Sequence, residues 1–274
     1  MSLRINQNIS AMNTHRQLIK TDKALSNSLE RLSSGMKINR AADDSAGLAI
    51  SQRLRSQVEG LKMASTNAEQ AKNMVQTAEG YLGEIHNMLG RMRELSVQSA
   101  ADTVTADDRT SLDAEFSSLR DEIDRIAAAA QYNNTPLLDG TFTSKKFQIG
   151  ANGTTDNQID ISIANTNSTT LGISASKITD LDSAVAALGE LDTAINTVST
   201  SRSQLGTIQN RLAYTVASVD NAAENLASSE STIRDLDISN EITTFTKSQI
   251  LTQAGMSMLA QANAAPQNVL ALFR

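Results

Sequence analysis

The chain has 274 residues, of which 40% are apolar but only 3% aromatic, with no Trp and no Cys. That excludes a disulfide framework and a thiolate metal site, and it disfavours a bulky aromatic core. A formal net charge of −6 argues against nucleic acid as the main partner.

The first forty residues differ in charge from the rest. They carry seven Lys or Arg against Asp22 and Glu30, a local +5 that leaves −11 elsewhere. A basic helix could lie on acidic lipid, but these charges are spread rather than gathered on one face. The segment lacks the continuous apolar block and small-residue cleavage site of a signal peptide. No apolar run in the chain approaches the ~20 residues of a membrane span, so no membrane insertion is expected. Ile5, Ile9, Met12, Leu18, Leu25, Leu29, Leu32 and Met36 form an apolar stripe that one short helix cannot bury alone.

A long helix is predicted from about Ser45 to Ser99, with a seam of Leu54, Val58, Leu61, Ala64, Ala68, Ala71, Val75, Ala78, Leu82, Ile85, Leu89 and Met92 stepping by three and four. Gly60, Gly80, Gly83 and Gly90 each cost about 1 kcal/mol of helix propensity, for which close approach of neighbouring helices is the expected compensation. Thr105 and Asp108 have the spacing of a reciprocal cap, opening a second helix with the seam Leu112, Phe116, Leu119, Ile123, Ile126 and Ala130. Next, Phe142 to Ile149 and the alternating Ile159, Ile161 and Ile163 read as two short strands around a turn-rich stretch. Residues 141–177 are crowded with Ser, Thr, Asn and Gly and are expected on the surface, either as an ordered hairpin or as a plain solvated connector. A third helix begins near Thr179 and Asp182, again at capping-box spacing. It runs through Leu188, Leu191, Ile195, Val198, Leu205, Leu212, Val219 and Leu226 and is expected to pair with the first long helix.

The last stretch, from Ser231, ends in apolar residues although chain ends usually fade into polar tails. Both extremities therefore need a partner.

Catalytic constellations are missing. His15 and His86 are the only histidines, lie in separate helical segments and read as helix-surface residues. No phosphate-binding glycine motif occurs. The pairs Asp43–Asp44 and Asp107–Asp108 stand where helix N-termini are expected and read as caps favoured by the helix dipole. Neither an enzyme activity nor a cofactor is expected.

Leu32-Ser33-Ser34-Gly35, then Ile38-Asn39-Arg40-Ala41-Ala42-Asp43-Asp44-Ser45-Ala46-Gly47-Leu48-Ala49-Ile50-Ser51, and at the far end Gln249-Ile250-Leu251, Ala260-Gln261-Ala262-Asn263 and Pro266-Gln267-Asn268-Val269-Leu270 resemble bacterial flagellin. The resemblance runs from Arg4 to Arg274. It implies a mainly α fold, a long antiparallel coiled-coil bundle built by the N- and C-terminal halves with a small β-hairpin in the middle. The implied division is an N-terminal arm, 1–44; core helices and hairpin, 45–178; a C-terminal core helix, 179–230; and a C-terminal arm, 231–274. Only 40 residues separate Gly140 from Leu181, so the large variable outer domains of many relatives are missing.

The resemblance also implies a function: helical polymerisation into the flagellar filament, the propeller of swimming motility, outside the cell. The arms order on assembly and line the central channel. The alternative within the same export class is a hook-filament junction protein. Subunit contacts are then expected at Ile5, Ile9, Met12, Leu25, Leu29, Leu32, Ile242, Phe245, Leu251, Met258, Leu259, Val269 and Leu270. The implied partners are copies of the chain itself, an export chaperone on the C-terminal arm of the type III route, a cap protein and hook-junction proteins. Gly90-Arg91-Met92-Arg93-Glu94-Leu95-Ser96-Val97 with Glu115 resembles the element recognised by an innate immune receptor of the Toll-like class, implying Arg91, Leu95 and Glu115 as contacts; the plainer alternative makes Arg91 and Glu115 subunit contacts and Leu95 packing.

Overall fold

The computed structural model describes the backbone of residues 7–272 and the side chains of residues 7–264. Ile5, and the side chains of Val269 and Leu270, lie outside the described residues. The chain separates into two compact units, residues 1–56 with 225–274 and residues 57–224.

In the first unit, α1 (Ile9–Ser34) pairs with α5 (Ile238–Leu272). Asn8 fixes the start of α1. Its Oδ1 accepts from the Ala11 N–H at 3.0 Å while its Nδ2 donates to the Ala262 carbonyl at 2.7 Å, so one side chain caps α1 and ties it to α5. Gly35 ends the helix with φ +70°, a left-handed conformation that favours glycine, and its N–H donates to the Arg31 carbonyl at 2.8 Å. The connectors that follow α1 and precede α5 are clasped by main-chain bonds: Lys37 N–H to Arg234 O at 2.7 Å and Leu236 N–H to Gly35 O at 3.0 Å.

The seam between α1 and α5 follows steps of three and four: Ala11, Leu18, Thr21, Leu25, Ser28 and Leu32 are buried or half-buried, facing Glu241, Phe245, Ser248, Thr252, Gly255 and Leu259. Apolar and small polar residues alternate along it. Ser28 donates to Glu241 Oε1 at 2.5 Å, and a Cβ on Gly255 would lie 3.1 Å from Leu18 Cδ1, so glycine admits the leucine there. This seam divides the expected N-terminal stripe. Leu18, Leu25 and Leu32 turn inward, whereas Ile9, Met12 and Leu29 turn to solvent.

The second unit contains most of α2 (Ser45–Ser99), all of α3 (Ala106–Ala129) and most of α4 (Leu181–Arg234). Asp44 Oδ1 accepts from the Gly47 N–H at 2.9 Å to open α2. Thr105 and Asp108 form the expected capping box at α3. The start of α4 is held otherwise than expected: Asp180, not Thr179, accepts from the Ser183 N–H at 2.9 Å and hydroxyl at 2.8 Å. Asp180 stands immediately before Leu181, the first residue of α4, and so holds the N-cap position, one residue after Thr179.

The predicted seam of α2 is the core. Ala68, Ala71, Val75, Ala78, Leu82, Ile85, Leu89 and Met92 are buried with Phe116 and Ile123 of α3 and Leu191, Val198, Leu205 and Leu212 of α4. The pairing of α2 with α4 extends to polar bonds, Arg93 Nε to Asp192 Oδ1 at 2.8 Å and Gln209 Nε2 to Glu79 Oε2 at 2.7 Å. Close approach of neighbouring helices does not account for most of the helix glycines. A Cβ on Gly80, Gly83 or Gly90 would meet nothing within 4 Å, and only Gly60 has a close neighbour, the Ala151 Cβ of a loop at 3.1 Å.

Between α3 and α4, β1 (Gln131–Tyr132) and β2 (Thr135–Pro136) make a tight hairpin that sequence reading missed. Asn133 and Asn134 have φ of 46° and 63°, the left-handed pair of a primed two-residue turn. The expected second hairpin is present but short: β3 (Lys145–Gln148) runs antiparallel to β4 (Gln158–Ile161), with Phe147 opposite Ile159.

Residues 141–177 are not the surface connector their composition suggests. Phe142, Ile159, Ile161, Ile163, Leu171 and Ile173 are buried in the core. The coil after β4 is stapled through backbone donors to carboxylates of α3. Ser168 gives its N–H and hydroxyl to Asp124, both at 2.7 Å, and Ile178 N–H reaches Asp113 Oδ1 at 2.8 Å. Polar side chains here satisfy main-chain groups that burial would otherwise orphan.

Phe116→Ala is expected to cost about 3–5 kcal/mol in urea unfolding followed by circular dichroism, because the ring is fully buried. Hydrogen bonds from the Ser183 N–H and then its hydroxyl hold the Asp180 carboxyl below the ordinary range. A lowered folded pKa stabilises above the unfolded value and is lost as pH falls through the folded one. Asp180→Asn should therefore lower the melting temperature at neutral pH and remove part of its decline on acidification; an unchanged acid limb would count against this cap.

Candidate functional site

The unusual surface of this molecule is the outer face of the α1–α5 pair. Ile9, Met12, Leu29, Ile242, Leu251 and Met258 are between 47% and 62% exposed, and Ile19, Ile250 and Met256 extend the same character. Monomeric proteins scatter such residues singly; here they recur along both helices of one pair. Fully burying one of them is worth about 1.5–3 kcal/mol. Phe245, Leu25, Leu32 and Leu259 are half-buried and fill the seam instead. The expected contact residues thus have two tasks, joining α1 to α5 and facing outward.

Shallow grooves run beside the seam. One of about 480 Å³ lies between Met12, His15, Ile19 and Leu259, and another of about 420 Å³ between Leu18, Thr21, Leu251 and Met258. Their walls are apolar side chains interrupted by Asn, Thr, Gln and His, with Arg16 on the first, a mixed lining of the kind that takes side chains of another amphipathic helix.

On the second unit, Arg91 bridges two acids. Its guanidinium lies 3.0 Å from Glu94 Oε2 and 2.9 Å from Glu115 Oε1, and these hydrogen bonds, Glu94's first, raise its already high pKa. All three side chains are solvent-exposed, so the cluster is screened and contributes little to stability. Leu95, grouped with them by sequence, has no exposed surface and belongs to the core. That corrects its role: it can fix the helix that carries Arg91, but a second molecule cannot touch it while the fold is intact.

The remaining candidates resolve into structural roles. Asp43 accepts from the N–H groups of Arg40 and Asn39, in that order of effect, which lowers its pKa. His15 is exposed on a groove wall, as expected of a helix-surface residue. His86 is not: it is half-buried, and its Nδ1 is buried without a hydrogen-bond partner. The surface reading failed because the seam of α2 is wider than a two-residue heptad stripe. Among the described residues no cluster of three His, Cys, Asp or Glu could hold a metal ion, and no helix is long and apolar enough to cross a membrane.

Comparison with known proteins agrees with this geometry. Residues 5–143 match the family model for the bacterial flagellin N-terminal helical region, and residues 188–273 that for the C-terminal helical region. Curated relatives include a flagellin of Halalkalibacterium halodurans, 44% identical over 98% of this chain and 99% of the relative. A flagellin of Bacillus subtilis is 43% identical over 99% and 100%. A flagellar filament 33 kDa core protein of Treponema phagedenis is 45% identical over 98% and 99%. Among solved structures, Bacillus cereus flagellin superposes with a TM-score of 0.51 at 29% identity, covering 60% of this chain and 94% of that one. A Vibrio parahaemolyticus protein described as flagellar hook-associated gives 0.59 at 15% identity over 70% and 100%, a likeness of fold alone. With both terminal regions matched and the greasy faces carried by those same regions, the chain belongs to the bacterial flagellin family.

Proposed function

We propose that the outward faces of α1 and α5 are the surfaces through which copies of this flagellin bind one another, forming the inner wall of the filament, and that residues 57–224 supply most of its outer wall. As a flagellin the chain is a structural subunit of the extracellular flagellar filament, not an enzyme, and it self-polymerises. A hook-filament junction role has less support, since the hook-associated likeness is one of fold whereas flagellins match over nearly the full length.

The observation that carries the reading is the α1–α5 seam. It fully buries only small and polar residues, Ala11, Thr21, Ser28 and Ser248, half-buries Leu18, Leu25, Leu32, Phe245 and Leu259, and leaves Ile9, Met12, Leu29, Ile242, Leu251 and Met258 outside. Ordering each arm costs about 1–2 kcal/mol per residue in backbone entropy, which this thin seam cannot offset by itself. Burial against neighbouring copies at ~25 cal/mol per Å² supplies the difference. Assembly and arm ordering are thereby coupled, and residues 1–44 and 231–274 act as arms on a core of 45–178 and 179–230. Contacts that do not close on themselves produce a fibre rather than a ring.

Four finer partnerships belong to this reading, three on the arms and one on the second unit. An export chaperone would cover the outward face of α5, with Ile242, Leu251 and Met258, before assembly. A cap protein and hook-junction proteins would meet the same arms at the ends of the filament. For a Toll-like receptor, Arg91 and Glu115 are the reachable members of the implied patch, with Leu95 as their support.

Met258→Asp or Ile242→Asp should leave helix content and melting unchanged, because both side chains are exposed, yet abolish seeded filament growth in electron microscopy. Deleting residues 1–30 or 245–274 should leave a helical, monomeric core; filaments from either truncated chain would overturn the proposal. Arg91→Ala should change stability by no more than about 1 kcal/mol, since its ion pairs are exposed, while weakening both polymerisation and receptor signalling. Wild-type behaviour in both assays would remove the patch from consideration.

A further inference from the structure

The loop between β3 and β4 presents a reactive pair. Asn152–Gly153 is the one Asn-Gly step in the sequence, and both residues are exposed. The Asn152 carbonyl accepts from Gln148 Nε2 at 2.7 Å, and the same amide reaches the Gly150 carbonyl at 2.8 Å, so the loop is pinned just before the step. Neither the Asn152 carboxamide nor the Gly153 N–H has a hydrogen-bond partner among the described residues. A Cβ on Gly153 would meet nothing within 4 Å, so the peptide after Asn152 has room to rotate.

We propose that Asn152 is a site of spontaneous deamidation. Hydroxide removes the Gly153 amide proton, the nitrogen attacks Asn152 Cγ, and the new N–C bond forms as the C–N bond of the carboxamide breaks and ammonia leaves. Water then opens the cyclic imide at either carbonyl, giving an aspartyl or an isoaspartyl residue at position 152 with no change of oxidation state. Either product adds a negative charge to a chain whose formal charge is −6. The isoaspartyl form also inserts a carbon into the backbone beside Ala151, whose Cβ packs against Gly60 of α2.

The fold suppresses the same chemistry at comparable steps. At Asn167–Ser168 the nucleophile is occupied, because Ser168 N–H donates to Asp124 at 2.7 Å, and Asn167 Oδ1 accepts from Thr170 N–H at 2.8 Å. At Asn165–Thr166 the Thr166 N–H donates to the Leu138 carbonyl at 3.2 Å, and Asn165 Oδ1 accepts from Asn167 N–H. Steps such as Asn27–Ser28 lie inside helices, where the following N–H is committed. By comparison with these, the Asn152–Gly153 step is left reactive. On the filament reading above, every subunit would acquire this charge with time, and its level would record the age of each stretch of fibre.

The test uses the soluble full-length chain and does not depend on assembly. The protein is incubated for days at neutral and mildly alkaline pH, digested, and the peptide beginning at Phe147 sequenced by fragment-ion mass spectrometry. The expected result is a gain of one mass unit at position 152, ahead of Asn165 and Asn167 and faster at alkaline pH; Gly153→Ala, which the open position accommodates, should lose the shift. In urea Asn167 should begin to convert. Conversion at Asn165 or Asn167 before Asn152, equal conversion in the Gly153→Ala chain, or no acceleration of Asn167 in urea would overturn the assignment.

Discussion

The other features of this molecule hang on the α1–α5 seam, whose apolar content is modest. Along each helix, every third or fourth residue turns inward, yet leucines alternate there with Thr21, Ser28 and Ser248. The remaining apolar residues point away. A seam of pure leucine would make a self-sufficient hairpin with little reason to associate, and a wholly polar one would not hold the two arms in register. This intermediate composition keeps the arms paired and the outer faces unsatisfied.

The second unit solves the opposite problem. Its core mixes small residues, Ala68, Ala71 and Ala78 on α2 and Ala184, Ala187 and Ala194 on α4, with Leu82, Ile85, Leu89, Met92 and the single ring of Phe116, so helices pack with little aromatic bulk. The chain that returns from α3 to α4 is fixed by carboxylates accepting main-chain N–H groups, Asp113 and Asp124 from α3 and Asp180 at the start of α4. Net negative charge is thus partly a structural material here: it satisfies backbone donors where a long connector crosses a core.

Helix boundaries were legible because their signals are local. Ser45 to Ser99 agrees with the expected span, and the Thr105–Asp108 box stands where the spacing put it. Where two residues compete for one cap, as Thr179 and Asp180 do, spacing alone does not reveal which oxygen reaches the amide. Ser and Thr content predicts exposure for residues 141–177, yet Ser168 and Ser176 are buried and hydrogen-bonded, to Asp124 and Glu190, because a hydroxyl with a carboxylate partner can be buried at little cost. The β1–β2 hairpin escaped notice since two residues per strand carry no periodicity; the pair Asn133–Asn134 was the available signal. For the candidate site, the apolar character of the arms was visible in the sequence. Which residues face inward was not, because the stripe is wide enough to serve two faces and only the partner helix selects between them. Leu95 is the opposite case: it stands three residues after Met92 and continues the buried α2 seam, so its spacing already carried the signal that it belongs to the core.

The clasp between the two connectors of the first unit has a mechanical meaning. Its bonds, Lys37 N–H to Arg234 O and Leu236 N–H to Gly35 O, join main chain to main chain, so the joint is indifferent to most side-chain drift. Side-chain substitutions at Lys37, Arg234 or Leu236 that keep the backbone conformation leave both bonds in place, whereas Gly35 is tied to its φ of +70°. Only an imino acid at 37 or 236, which lacks the hydrogen, would unpick a stitch. A fastening made of backbone therefore resists loosening by side-chain substitution alone.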